Sequence, residues 1–191
     1  MSTKLRAFFG LPVPEAAKPS LAAAIERMQK SAQGTLLSPR WQPADKFHAT
    51  LKFLGWVETA RLDELWSMAL VFARVLPPLR AELTAVKSFG PPRRARVIVA
   101  ALADKSGALA RLAEALETGA EGLGFAREER EFRPHVTLAR LKDPGNVTPW
   151  LDAAALEPAP ITFPELCLYR SDLSPNGGIY TVLERLRLSG A

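Results

Sequence analysis

Histidine and cysteine are almost missing from this chain, with two of the first and one of the second in 191 residues. The lone Cys167 excludes an intramolecular disulfide and a cysteine-built zinc site, and it fits a reducing compartment. It stands in an apolar stretch, where a buried, inert thiol is expected. No uninterrupted apolar run nears the ~20 residues that a membrane helix needs. The opening Arg6-Ala7-Phe8-Phe9-Gly10-Leu11 is too short for a leader or an anchor. A cytoplasmic protein with no membrane partner is therefore expected. Gly-x-Ser-x-Gly, a Walker loop and His-Glu-x-x-His are all absent. The carboxylates are scattered, without the His and Asp clusters of a dinuclear phosphodiesterase. No metal and no cofactor are expected.

What is present is ordinary globular material. Hydrophobic residues at 48% and charged residues at 24% exclude disorder. A chain of this length buries one good core without staples, so residues 1–191 are expected to form a single domain, most simply as a monomer. The net charge of +5 attracts polyanions through steering and counterion release, which supports a phosphate substrate without establishing one.

The pattern along the chain alternates strands with amphipathic helices. A strand over 5–11 is stopped by Pro12 and Pro14. A helix follows with Leu21, Ile25 and Met28 at i, i+4, i+7, closing at Gly34. Arg40 and Trp41 lie in an extended segment broken by Pro43, ahead of a strand over 46–54 that Gly55 ends. A second helix over 59–74 buries Leu62, Leu65, Trp66, Ala69 and Ala73 and stops at Pro77-Pro78. Strands over 79–89 and 96–102 flank Gly90-Pro91-Pro92-Arg93-Arg94. There Arg93, Arg94 and Arg96 make either a solvated turn or a contact to RNA phosphates. A third helix begins near Asp104, an N-cap candidate, and carries Leu109, Leu112, Ala113 and Leu116. A strand over 134–141, a short helix over 148–156 with Pro149 in its first turn, and strands over 161–169 and 179–188 complete the chain. The run from Ser171 to Gly178 is a turn signal.

Both histidines stand in the same four-residue pattern, His48-Ala49-Thr50-Leu51 and His135-Val136-Thr137-Leu138, 87 positions apart. Each copy follows an amphipathic helix. This predicts a duplicated α+β unit: two lobes about a pseudo-twofold axis, antiparallel sheets flanking a central groove, and helices packed outside.

In a strand, residues i and i+2 share a face. His48, Thr50 and Lys52 would therefore share one face, with Phe47, Ala49, Leu51 and Phe53 opposite. In the second copy His135, Thr137 and Ala139 share a face, with Val136 and Leu138 opposite. A lone histidine in a strand ordinarily does nothing beyond packing. Two histidines each followed by Thr at i+2 coincide by chance in roughly a fraction of one per cent of such chains.

The residue types suit metal-free phosphodiester cleavage. Imidazole titrates near neutrality, so one ring can donate a proton while its partner accepts one. Hydrolysis needs proton removal from water and proton delivery to the departing alkoxide, on opposite sides of phosphorus. The threonine hydroxyls would donate to the non-bridging oxygens, where charge develops. A non-catalytic module that binds a nucleotide or RNA end in the same groove is the competing class. It would have had no need to keep both histidines and both threonines.

With these motifs in hand, the chain resembles the 2H phosphoesterase superfamily, and within it the RNA 2′,3′-cyclic phosphodiesterases historically called 2′-5′ RNA ligases. The resemblance spans nearly the whole length. It rests on Arg6 to Pro12, Arg40-Trp41, His48 to Gly55, Phe132 to Arg140, Leu168-Tyr169-Arg170-Ser171 and Gly178-Ile179-Tyr180. It implies a bilobal α+β protein that opens a terminal RNA 2′,3′-cyclic phosphate, or a small cyclic nucleotide, to a 2′-phosphomonoester without a metal. It also implies the order of roles, which residues alone leave open: His48 gives the proton to the leaving 3′-oxygen, His135 takes one from water, and Thr50 and Thr137 bind the phosphate. Joining RNA ends through a 2′-5′ linkage is the same reaction reversed. Arg133, Arg140 and Lys52 are candidate substrate contacts. Strict alternation would turn Arg140 to the Val136 face unless the strand ends or bulges before it. Ala49, where many relatives carry a larger apolar residue, affects packing more than chemistry.

Overall fold

Alternation and helical periodicity resolve into nine strands and four helices among the described residues of the computed structural model, which are 3–174 and 177–190. The strands are β1 (Lys4–Pro12), β2 (Pro39–Trp41), β3 (His48–Glu58), β4 (Leu79–Phe89), β5 (Ala95–Ala103), β6 (His135–Gly145), β7 (Ala159–Phe163), β8 (Glu165–Ser174) and β9 (Gly177–Arg187). The helices are α1 (Lys18–Ser31), α2 (Leu62–Ala73), α3 (Ala108–Gly122) and α4 (Thr148–Ala154).

All the strands join one curled antiparallel sheet in the order β7-β4-β5-β6-β3-β1-β8-β9, with β2 paired to β6 beside that path. The helices cover its convex side and the groove is its concave side. The expected α+β duplication is visible in the element order, since β1-α1-β3-α2 is repeated as β5-α3-β6-α4. Two wings meet where β3 pairs with β6 at Ala49↔Val136. The two histidine strands are thus neighbours along the floor of the groove.

The apolar faces predicted for the helices are the buried ones: Leu21, Ile25 and Met28 on α1, Leu65, Ala69 and Ala73 on α2, and Leu109, Leu112, Ala113 and Leu116 on α3. Asp104 does cap α3, from further upstream than an N-cap, with its Oδ2 accepting the Ala110 N–H at 2.9 Å. Several boundaries differ from expectation: β3 starts two residues later than expected, α2 is shorter than 59–74, β6 runs on past 141 to Gly145, and two differences have a clear physical cause. Gly55 does not end β3; it sits within the strand at φ +72° and lets it continue to Glu58. The strand expected over 161–169 is two strands, because Pro164 has no N–H to give to a ladder. The expected 171–178 turn includes Pro175 and Asn176, which lie outside the described residues.

A β-bulge interrupts each histidine strand at the equivalent place. In β3, Gly10 pairs with Thr50 and Phe9 with Lys52, skipping Leu51; in β6, Val99 pairs with Thr137 and Ile98 with Ala139, skipping Leu138. A bulged residue shifts everything after it by one face. Consequently Phe53 and Arg140 emerge on the groove side, where Phe53 is 55% exposed, while Lys52 and Ala139 turn inward.

Candidate active site

His48 and His135 are both half-buried at the start of their strands, and each is held in the same way. His48 Nδ1 bonds the Lys46 carbonyl oxygen at 2.8 Å, and His135 Nδ1 bonds the Arg133 carbonyl oxygen at 2.6 Å. A carbonyl only accepts, so Nδ1 carries the proton in both rings and Nε2 is left free toward the groove. The partner is residue i−2 in both copies, which is the duplication expressed at the level of one hydrogen bond.

Ala49↔Val136 is the pair that joins the two strands, and both residues are buried, so the flanking His48, Thr50, His135 and Thr137 all turn to the opposite, groove-side face. The four motif side chains thus share one face beside the Ala49↔Val136 junction. Among the described residues neither threonine hydroxyl has a protein partner. Both are available to an incoming oxygen.

The electrostatics are uneven. Burial pushes the His48 pKa down to about 4, with further lowering from the nearby Arg140 and His135 charges and partial compensation from the Lys46 carbonyl. Burial also lowers His135, as does Arg140, against the Arg133 carbonyl. Arg140 therefore stands close enough to bear on both rings, which the bulge at Leu138 permits. The alternation rule alone pointed it the other way.

Lys52 is corrected. Paired with Phe9 beyond the bulge, it is 2% exposed, and its Nζ donates to Glu117 Oε2 at 2.5 Å and to the Ala126 carbonyl at 2.7 Å. It lies on the helix side and cannot touch a ligand in the groove. Arg133 contributes its carbonyl to His135, while its side chain is exposed and paired with Glu131 at 3.3 Å. Arg93 and Arg94 form a single 3-10 turn ahead of Arg96, all three exposed.

Sequence reasoning missed the aromatic surroundings. Phe8 (ring centroid 4.9 Å from His48), Tyr169 (5.7 Å) and Tyr180 (4.9 Å, edge-on) enclose the first imidazole. Among the described residues only Phe89, edge-on at 4.6 Å, stands against the second. The signal was the alternation of β1, since Phe8 must face away from Phe9, but the curl that brings β8 and β9 over it is a long-range effect. Cys167 is buried beside Phe8 and Tyr169, its thiol pKa raised by burial, as expected of an inert residue. A pocket of about 460 Å³ opens beside His48 between Tyr169, Tyr180, Lys18, Lys46 and Arg185. Among the described residues no three His, Cys, Asp or Glu side chains gather as a ligand set for a metal.

A curled antiparallel sheet with two matched His-x-Thr strands on its concave face defines a class of bilobal phosphoesterases, and comparison with known proteins agrees. The family model described as the 2′-5′ RNA ligase superfamily matches residues 17–175, and the chain belongs to that superfamily. It is 31% identical to a Thermus thermophilus protein named RNA 2′,3′-cyclic phosphodiesterase, over 97% of this chain and 91% of the relative. A relative of the same name from Aeropyrum pernix is 27% identical over 87% of this chain and 96% of its own length. The crystal structure of TT0787 from Thermus thermophilus superposes with a TM-score of 0.80 at 28% identity, covering 97% of this chain and 99% of that one. Escherichia coli LigT in complex with 3′-AMP gives 0.70 at 25% identity, with 97% and 99% covered. No helix among the described residues is long and apolar enough to cross a membrane.

Proposed function

We propose that the protein hydrolyses the 2′,3′-cyclic phosphate end of an RNA to a 2′-phosphomonoester, with His48 as proton donor and His135 as proton acceptor and no metal ion in the step. The observation that carries this reading is the matched pair of Nδ1–H···O=C bonds, which turns two Nε2 atoms to the groove beside two threonine hydroxyls that have no partner among the described residues.

The groups divide the work as follows. Water attacks phosphorus while His135 Nε2 takes its proton; the bond from phosphorus to the 3′-oxygen breaks, and that oxygen receives the proton of His48 Nε2. Thr50, Thr137 and Arg140 hold the non-bridging oxygens, whose charge grows in the transition state. The order of roles follows the superfamily resemblance, and the surroundings support it. The ring with one aromatic neighbour is the more open to water, and the ring behind three is the better shielded donor. The pocket beside His48 falls within the volume range of small-molecule sites and suits the nucleoside. The reverse reaction would use the same atoms, but water at its bulk concentration drives hydrolysis unless RNA ends are held in alignment.

The test is to incubate the protein with an RNA bearing a 2′,3′-cyclic end in excess EDTA and map the product by mass and phosphatase sensitivity. A 2′-phosphate is expected. His48→Ala and His135→Ala should each lower turnover by about two to four orders of magnitude. A metal requirement, a 3′-phosphate product, or full activity in either variant would overturn the mechanism.

A further inference from the structure

Two arginines face each other across the floor of the groove, Arg140 beside the imidazoles and Arg40 on the neighbouring strand. β2 pairs with β6 in the register Pro39↔Leu141, Arg40↔Arg140, Trp41↔Ala139. Directly opposed residues of an antiparallel pair point to the same face. Leu141 and Ala139 are buried, and the Trp41 ring packs 5.7 Å from Trp150 of α4, so that row is the helix side. Arg40 and Arg140 are therefore both on the concave side, and both are exposed. Among the described residues neither guanidinium has a carboxylate partner or any hydrogen bond. Like charges placed directly opposite destabilise a sheet. A short strand that spends its one outward position on such a pair is explained by negative charge that the two guanidiniums meet on the concave side.

We propose that Arg40, beside Arg140, binds a second phosphate: the phosphodiester that links the terminal nucleotide of the RNA to the one before it. The reading rests on the function proposed above and narrows its substrate to an RNA end rather than a free cyclic mononucleotide. Arg140 is near enough to both imidazoles to depress them, so it faces the reacting phosphate. Arg40 is one strand further from β5, about 4.8 Å across the ladder. With its long, forked side chain it takes the next phosphate along the chain. A mononucleoside cyclic phosphate has nothing to place there.

The experiment compares wild type, Arg40→Ala and Arg40→Lys on three substrates: 2′,3′-cyclic AMP, a trinucleotide with a 2′,3′-cyclic end, and the same trinucleotide with a neutral methylphosphonate at the linkage before the terminal nucleotide. Arg40→Ala should lower kcat/KM for the trinucleotide about tenfold, mostly through KM, and leave cyclic AMP within twofold. The salt slope on the trinucleotide should fall by about 0.7, the value for one phosphate of a single strand, and Arg40→Lys should keep most of that slope. The methylphosphonate substrate should be equally slow with wild type and Arg40→Ala. Equal losses on cyclic AMP and trinucleotide, or no loss on either, would overturn the second-phosphate site. If wild type turns over none of the three, the proposed activity falls instead. The Arg40 site is then judged by fluorescence anisotropy of a dye-labelled trinucleotide ending in a 2′-phosphate, where weaker binding to Arg40→Ala supports it and unchanged binding overturns it.

Discussion

The histidine proposed to deliver a proton near neutral pH is held in surroundings that keep it from having one. With its pKa lowered to about 4, His48 is neutral in the empty groove at pH 6 to 7, because burial and the Arg140 charge both disfavour the imidazolium. A phosphodiester anion placed beside it reverses the sign of that field, and the pKa rises again. The proposed acid is thus loaded as the substrate arrives, and binding should consume a proton. The sign follows from linkage. Between the free pKa and the bound pKa the complex holds more protons than the separate partners, so affinity for the anion falls as pH rises through the bound value. The clean measurement uses the slow His135→Ala variant, since a phosphodiester does not itself titrate in this range. Calorimetry of 2′,3′-cyclic AMP binding at about pH 5.5, in buffers of different ionisation enthalpy, should show net proton uptake that fades toward pH 4. The uptake should disappear when His48→Ala is added. Heats that do not depend on the buffer would remove this account of the acid.

At the scale of the strand, what the sequence made legible and what it concealed divide at the two bulges. His48 and Thr50, like His135 and Thr137, precede the skipped residue, so i, i+2 alternation placed them correctly. Lys52 and Arg140 follow it, and the same rule misplaced the first and pointed the second away from the rings it acts on. A bulge depends on the register of the partner strand, here Phe9-Gly10 and Ile98-Val99, which no local pattern encodes. The helices were legible because one apolar stripe specifies one buried face. The displaced Lys52 is now part of the frame. Its ammonium and Glu117 form a buried ion pair, and Glu117 also accepts the Glu128 N–H at 3.2 Å, which ties the segment leading toward His135 down onto α3. Removing one partner strands the other charge in a dry site. Lys52→Met should therefore cost about 3–5 kcal/mol in urea unfolding, and adding Glu117→Leu should recover part of it. The KM for 2′,3′-cyclic AMP should be unchanged in whichever variant remains folded. A raised KM at full stability would return Lys52 to the groove.

On the scale of the whole molecule, the two wings are cross-tied rather than hinged, and this makes the alignment of the histidines a property of the complete chain. The wing holding His48 is built from β1, β3, β8 and β9, so the chain leaves it after β3, builds the other wing from β4 to β7, and returns. Strand β2, which precedes β3, is spent on β6 of the other wing. The helices repeat the exchange. Arg27 of α1 donates to the Ala154 and Ala155 carbonyls at the end of α4, at 2.8 and 3.0 Å, and Ser31 donates to Pro149 at 3.1 Å. Across the other half α2 meets α3 so closely that a Cβ on Gly119 would press into Met68 and Phe72. Neither wing can close its core alone, because each lends a helix or a strand to its counterpart. Residues 1–191 should accordingly unfold as one cooperative unit. Far-UV circular dichroism and the fluorescence of the four tryptophans, which lie on both sides of the seam, should give coincident urea midpoints. The excised segment 79–163 holds every strand of its wing but lacks β2, α1 and α2, and it should show no cooperative transition. Two separated transitions in the intact chain, or a folded excised segment, would mean that the wings are independent. The register Ala49↔Val136 that sets one imidazole beside the other would then need some further constraint to hold it.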